Sequence, residues 1–145
     1  MRTVGLPNAK PLPTAMAALL VAVAIPALAT DLLPPERQQG SVSYVSGGIG
    51  VDEAKAMEKA ESRYPLTVEF VHKLGNGHAE YLAGDDLVIR DTKGRIDLNT
   101  VTDGPFLLAN LPPGKYEIDA TDNGKSEHRT VRVKANAPAR VVFQW

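Results

Sequence analysis

The 145-residue sequence has no cysteine, few aromatic residues and almost no net charge. Without cysteine the chain cannot form a disulfide, a thiolate zinc site or a thiol nucleophile. Its 16 basic and 17 acidic residues give a formal net charge of −1, so no electrostatic feature predicts a nucleic-acid partner. A chain of this length suits one compact domain rather than two.

Two catalytic signatures are also missing. The sequence contains neither the His-Glu-x-x-His pattern of zinc metalloproteases nor the Gly-x-Ser-x-Gly pattern of serine hydrolases. We therefore predict no catalytic residue and no cofactor.

Long apolar runs are confined to the N-terminal part of the sequence. Residues 1–29 carry only two charges, Arg2 and Lys10, followed by an apolar run of 15 residues that ends in Ala27-Leu28-Ala29. This run is shorter than the roughly 20 residues that span a bilayer, and its small-x-small end is typical of a secretory signal. We predict a cleaved signal peptide rather than an anchor. The remaining 116 residues, with a net charge of −3, would then be periplasmic or secreted, without stable membrane insertion.

The next two segments differ in their apolar spacing. Residues 30–46 are rich in proline, glutamine and serine, which predicts a flexible lead-in with at most a short strand. In residues 47–64 a glycine loop precedes apolar positions three or four apart, as in an amphipathic helix over Val51–Arg63 that Pro65 ends. These positions are Val51, Ala54, Met57, Ala60 and Tyr64. We expect this stripe to pack against a core; a partner-binding face is the alternative.

Residues 65–145 alternate apolar and polar positions in short stretches separated by turn residues. Leu66, Val68 and Phe70 form the first such row, and Val141, Phe143 and Trp145 form the last. About seven strands with one apolar face each cannot cover themselves in a single open sheet. The pattern therefore predicts a mainly β protein, an antiparallel β-sandwich of about seven strands with one N-terminal amphipathic helix.

One segment resembles a known family. Val101–Ile118 contains an Asp-Gly turn at Asp103, an aromatic residue at Phe106 and a Leu-Pro-x-Gly-x-Tyr turn from Leu111 to Tyr116. This order is similar to the core segment of carboxypeptidase regulatory-like domains, which are prealbumin-like β-sandwiches. The resemblance covers roughly residues 66–145. It implies that fold and an accessory or stabilising role in an exported bacterial protein, without catalysis of its own.

The remaining candidates for chemistry are histidines and aspartates between the strands. His72, His78, Asp85 and Asp86 are the candidate metal ligands, because imidazole nitrogens and carboxylate oxygens bind metal ions. Their spacing matches no EF-hand loop, and solvated loop residues are the alternative interpretation.

These observations lead to one functional hypothesis and two alternatives. We expect a non-catalytic binding or assembly module of the periplasm, with an envelope protein as a possible partner. The first alternative is a small periplasmic hydrolase or metal-binding protein that uses His72, His78, Asp85 and Asp86. The second is an envelope interaction protein that pairs through an exposed sheet edge.

Overall fold

The computed structural model describes residue 5 and residues 32–81 and 83–145. The predicted signal peptide, apart from Gly5, lies outside these residues, and so does the start of the lead-in. Within the described ranges, no helix is long and apolar enough to cross a bilayer.

Strands dominate the described residues, together with one α-helix and one 3-10 turn. The elements are, in chain order, β1 (Arg37–Gln39), β2 (Val42–Gly47), α1 (Val51–Ala60), the 3-10 turn (Glu61–Arg63), β3 (Leu66–Lys73), β4 (Ala79–Glu80), β5 (Asp86–Asp91), β6 (Ile96–Val101), β7 (Phe106–Asn110), β8 (Gly114–Asp122), β9 (Lys125–Val133) and β10 (Ala139–Gln144). The mainly β composition with a single helix is thus confirmed for this part of the chain.

The strands form two sheets. The larger sheet has the order β1-β2-β7-β3-β10, with the short β4 paired to the end of β3. The smaller sheet has the order β6-β5-β8-β9. Strand pairs are antiparallel throughout, except that β10 lies parallel to β3 over Ala139–Gln144 and Leu66–Val71.

The core lies between the two sheets because each strand turns alternate side chains inward. From β3 the inward row is Leu66, Val68 and Phe70, and all three are fully buried. The smaller sheet supplies the opposing layer: Leu87, Ile89, Leu98, Tyr116, Ile118, Ala120 and Val133.

The helix α1 covers the outer face of the larger sheet. Met57 and Ala60 are buried against Val45, Phe106 and Leu108, so β2 and β7 are apolar on both faces. The predicted packing of the helix stripe is confirmed at these two positions. At Val51, which begins the stripe, the prediction is wrong: the side chain is 69% exposed because it lies in the first turn, before the helix reaches the sheet.

The glycine loop before α1 reverses the chain in a crowded place. A Cβ atom at Gly104 would lie 2.4 Å from the carbonyl group of Gly47, so Gly104 has no room for a side chain. Glu53 accepts a hydrogen bond from the backbone N–H of Gly48 at 2.7 Å. The loop is therefore held by the helix that follows it.

The described residues contain ten strands instead of about seven, and one pair is parallel in place of a wholly antiparallel arrangement. β1, with the polar sequence Arg37-Gln38-Gln39, and the two-residue β4 carry no apolar alternation that would reveal them. Parallel pairing also leaves no mark on the alternation, because inward and outward positions are the same for either strand direction.

Candidate functional site

At one end of the sandwich, four inward-facing rows end in polar or aromatic residues. The residue two positions beyond the last apolar core residue is His72 in β3, Asp122 at the end of β8 and Trp145 after β10. Two residues before the first core position of β5 stands Asp85. The same alternation that builds the core therefore brings these four residues together between the sheets. We call His72, Asp85 and Asp122 the His72 cluster.

The imidazole ring of His72 lies between two carboxylates. Its Nε2 atom is 3.5 Å from Oδ2 of Asp85, and its Nδ1 atom is 3.3 Å from Oδ2 of Asp122. The three residues offer ligand atoms that all lie within 4.8 Å of one another. The indole of Trp145 stacks on the ring, with centroids 5.3 Å apart. Neighbouring backbone bonds fix that stack, since Lys73 N–H donates to the Trp145 carbonyl at 2.6 Å.

Asp85 is the most buried member of the cluster, at 1% exposure. Its backbone N–H donates to Oγ1 of Thr102 at 3.1 Å, and the Thr102 N–H donates to the Asp85 carbonyl at 2.9 Å. Burial raises the pKa of the Asp85 carboxyl group, and the nearby carboxylates of Asp122 and Asp86 act in the same direction, while His72 opposes them. The site thus disfavours negative charge on Asp85 unless a cation lies nearby.

Asp122 connects the cluster to solvent. It ends β8, where the two-residue turn Asn123-Gly124 leads directly into β9. Both turn residues have positive φ angles, 45° and 79°, as an Asn-Gly hairpin turn requires. The Asp122 side chain is 20% exposed, whereas that of Asp85 is 1% exposed. The cluster is therefore more open to solvent at Asp122 than at Asp85.

The structure brings together two of the four predicted metal ligands and separates the other two from them. His78 lies in the exposed loop between β3 and β4, where its backbone N–H donates to Asn76 at 3.1 Å. Asp86 is exposed at the start of β5, on the opposite side of that strand from Asp85. His72 and Asp85 meet as members of the cluster, and Asp122 takes the third position.

Sequence reasoning missed Asp122 and Trp145 as parts of this site. The sequence pattern places Trp145 in the last apolar row and does not single out Asp122. The signal that identifies them is the continuation of the two-residue period beyond the last apolar residue of each strand. A polar residue in that position lies where the core meets solvent.

An open groove lies at the opposite end of the sandwich, near the start of β3. Its volume is about 400 Å³. It is lined by Ser41, Pro65, Asn110, Leu111, Pro112, Pro113, Lys134 and Ala135. We call it the Pro112 groove. Since β3 runs from this groove to the His72 cluster, the two features are roughly 20 Å apart.

No family model matches this sequence, and no curated protein matches it.

Proposed function

We propose that the chain is an exported, non-catalytic binding module of the periplasm, with a carboxypeptidase regulatory-like, prealbumin-like fold. The observation that carries the proposal is that the Pro112 groove lies apart from the histidine and carboxylate groups of the His72 cluster. The lining of the Pro112 groove includes one cation, Lys134, and no histidine or carboxylate. A catalytic centre needs its acid, base or nucleophile inside the cavity that holds the substrate, whereas a binding groove does not.

The segment Val101–Ile118 supports the fold part of the proposal. Tyr116 is buried, and its hydroxyl donates to the Pro112 carbonyl at 2.7 Å, which ties the start of β8 to the preceding turn. Leu111 is also buried in the core. These contacts give the Leu-Pro-x-Gly-x-Tyr turn a structural role of the kind that the resemblance implies.

The hydrolase alternative would use the His72 cluster. The bonding of the neighbouring Thr102 hydroxyl group argues against a serine-type mechanism there. A hydrolase of the serine type needs a hydroxyl within hydrogen-bond reach of the histidine. Thr102 Oγ1 accepts the backbone N–H of Asp85, and the recorded polar contacts of the His72 ring are with Asp85 and Asp122. Among the described residues, the cluster therefore lacks the histidine–hydroxyl contact of a serine-type hydrolase.

The partner is best sought by site-specific photocrosslinking in the native host. A photoreactive amino acid at Ala135, in the Pro112 groove, should give a covalent adduct with an envelope protein. The same residue at Asn76, in the exposed loop at the other end, is the matched control. Adducts of equal yield at both positions, or none at either, would contradict binding through the groove.

Export is tested separately by the intact mass of the protein recovered from the periplasm or medium. We expect a chain that begins at Thr30, because the predicted signal ends at Ala29. Recovery of a membrane-bound chain that retains Met1 would overturn this part of the proposal.

A further inference from the structure

The His72 cluster carries more negative than positive charge. Among the described residues, the recorded ion pairs of Asp85 and Asp122 are with His72 alone. The other histidine–aspartate pair of the smaller sheet is different, because Asp119 contacts both His128 and the guanidinium group of Arg90. Two carboxylates thus share a single imidazole at the cluster, without an arginine or lysine to balance them.

A neutral His72 ring can donate to only one of the two carboxylate oxygens that face it, whereas the other oxygen of Asp122, Oδ1, accepts from the Asn123 amide at 3.0 Å. A neutral imidazole has one N–H group and one lone pair, so it can donate to Asp85 or to Asp122 but not to both. The other ring nitrogen then directs its lone pair at a carboxylate oxygen. A cation at that nitrogen removes the conflict, and it is either a second proton or a metal ion.

The spacing and the exposure of Asp122 together favour a metal ion on its side of the ring. Charge-assisted hydrogen bonds are about 2.7–2.9 Å long, and the His128–Asp119 contact is 2.7 Å. Both contacts of the His72 ring are longer, at 3.3 Å from Nδ1 to Asp122 and 3.5 Å from Nε2 to Asp85, and Asp122 is the more exposed of the two carboxylates. Two ligand atoms bound tetrahedrally to one Zn²⁺ at about 2.0–2.1 Å lie about 3.3 Å apart. The open side of the cluster is therefore spaced as a pair of metal ligands.

We propose that His72 and Asp122 bind a divalent transition-metal cation, with Asp85 holding the imidazole ring through its Nε2–H group. A ligating histidine usually donates its second N–H to a carboxylate or carbonyl group, and buried Asp85 is placed to accept it. An imidazole nitrogen beside carboxylate oxygens suits Zn²⁺ better than Ca²⁺ or Mg²⁺. Water completes the coordination from the side of the Asn123-Gly124 turn. This cation site goes beyond the proposed binding role and lies at the other end of the molecule.

The stacked indole offers a direct measurement. Trp145 is the single tryptophan of the chain, and it contacts the proposed ligand His72. We expect Co²⁺ to quench the fluorescence of the purified full-length protein with a stoichiometry of one, and Zn²⁺ to reverse the quenching by competition. His72→Asn and Asp122→Asn should each abolish saturable quenching. His128→Asn removes the other paired histidine and should leave it unchanged.

Asp85→Asn gives a graded test of the orienting role. We expect its affinity for Zn²⁺ to fall by about 10–100-fold, the usual loss when the partner of a ligating histidine is removed. Zinc-loaded and metal-free wild-type protein are compared in parallel by NMR of the histidine ring nitrogens, which does not depend on the folding of any variant. Zn²⁺ should shift Nδ1 of His72 and leave His78 and His128 unmoved.

Two results would overturn the proposal. The first is a His72 ring that remains doubly protonated, with both N–H groups observed, in the presence of excess Zn²⁺. The second is metal binding that persists unchanged in both His72→Asn and Asp122→Asn. Neither result affects crosslinking from Ala135, so failure of the metal site and failure of the binding role can be distinguished.

Discussion

Two aspartates of the smaller sheet have opposite pKa shifts, and their neighbours explain the difference. Burial raises the pKa of Asp85. Hydrogen bonds from His128, and then from Arg90, lower the pKa of Asp119, which is also far more exposed. The direction of each pKa shift is therefore set by burial at Asp85 and by hydrogen-bonded partners at Asp119.

The lowered pKa of Asp119 predicts part of the acid sensitivity of the fold. A carboxyl group whose pKa is lower in the folded state than its unfolded pKa of about 3.9 stabilises the folded state at pH values above that unfolded pKa. This stabilisation is lost as the pH falls through the lower pKa of the folded state. We therefore expect Asp119→Asn to be less stable than wild type at pH 7 and to approach it as the pH falls below about 4. Urea unfolding between pH 7 and pH 3 measures this convergence.

Glu58→Gln, on the exposed face of α1, controls for the loss of one negative charge. A difference between wild type and Asp119→Asn that stays constant down to pH 3 would contradict the role of Asp119.

Side chains close both lateral edges of the sandwich. On one side, Gln39 of β1 accepts from the backbone N–H of Asn99 at 2.6 Å and donates to its carbonyl at 3.1 Å. The amide of Gln39 thus bonds to β6 as a neighbouring strand would. On the other side, the Arg129 guanidinium group of β9 lies 5.3 Å from the centre of the Phe143 ring of β10. Pairing with a foreign strand at the β6 edge would have to displace Gln39.

Removal of the Gln39 amide should weaken the fold slightly and free an edge. We expect Gln39→Ala to lower the unfolding free energy by about 0.5–1.5 kcal/mol and to increase concentration-dependent association through β6. Gln38→Ala is the control, since Gln38 bonds only locally, to the Gly40 carbonyl at 3.2 Å. Urea unfolding and light scattering measure the two effects, and identical behaviour of the two variants would count against an edge role for Gln39.

The helix α1 offers a second matched pair. Met57 is fully buried against the larger sheet, while Val51 in the same helix is 69% exposed. Met57→Ala should cost about 2–5 kcal/mol through lost contacts and a cavity, and Val51→Ala should stay within about 0.5 kcal/mol of wild type. Equal losses in thermal or urea unfolding would show that the helix does not pack on the sheet as described.

For the molecule as a whole, one core joins the two sheets, so they should unfold together. Phe143 is fully buried between them, whereas its neighbour Val142 is 40% exposed. We expect Phe143→Ala to destabilise the protein by about 3–5 kcal/mol and Val142→Ala by less than about 0.5 kcal/mol. Trp145 fluorescence and far-UV circular dichroism should give coincident transitions in each protein. Separate transitions for the two probes would mean that the sheets unfold independently.

The sequence predicted the buried part of this fold better than its edges. Leu66, Val68 and Phe70 reveal β3 because inward burial imposes a local period of two. β1 and the first half of β9 are solvent-exposed edge segments, so no burial pattern marks them. The parallel pair of β3 and β10 depends on how distant segments meet, which local alternation does not encode.

The candidate site was predictable in part for the same reason. His72 and Asp85 were recognised by residue type, and His78 and Asp86 were grouped with them on the same basis. Strand alternation separates Asp85 from Asp86, whereas His78 is separated because it lies in the loop between β3 and β4. Asp122 joins the cluster because Asp86 pairs with Thr121, which places Asp85 and Asp122 side by side at the end of the smaller sheet.

The pairing of β10 with β3 also determines when the larger sheet can be completed during synthesis of the chain. β3 ends at Lys73, and its parallel neighbour begins only at Ala139, so ribosomal synthesis delivers the two strands far apart. Contacts between distant segments form slowly, and the inward row of β3 has no neighbour on that side until β10 has been made. A chain with this topology completes its larger sheet only after its last strand has been made.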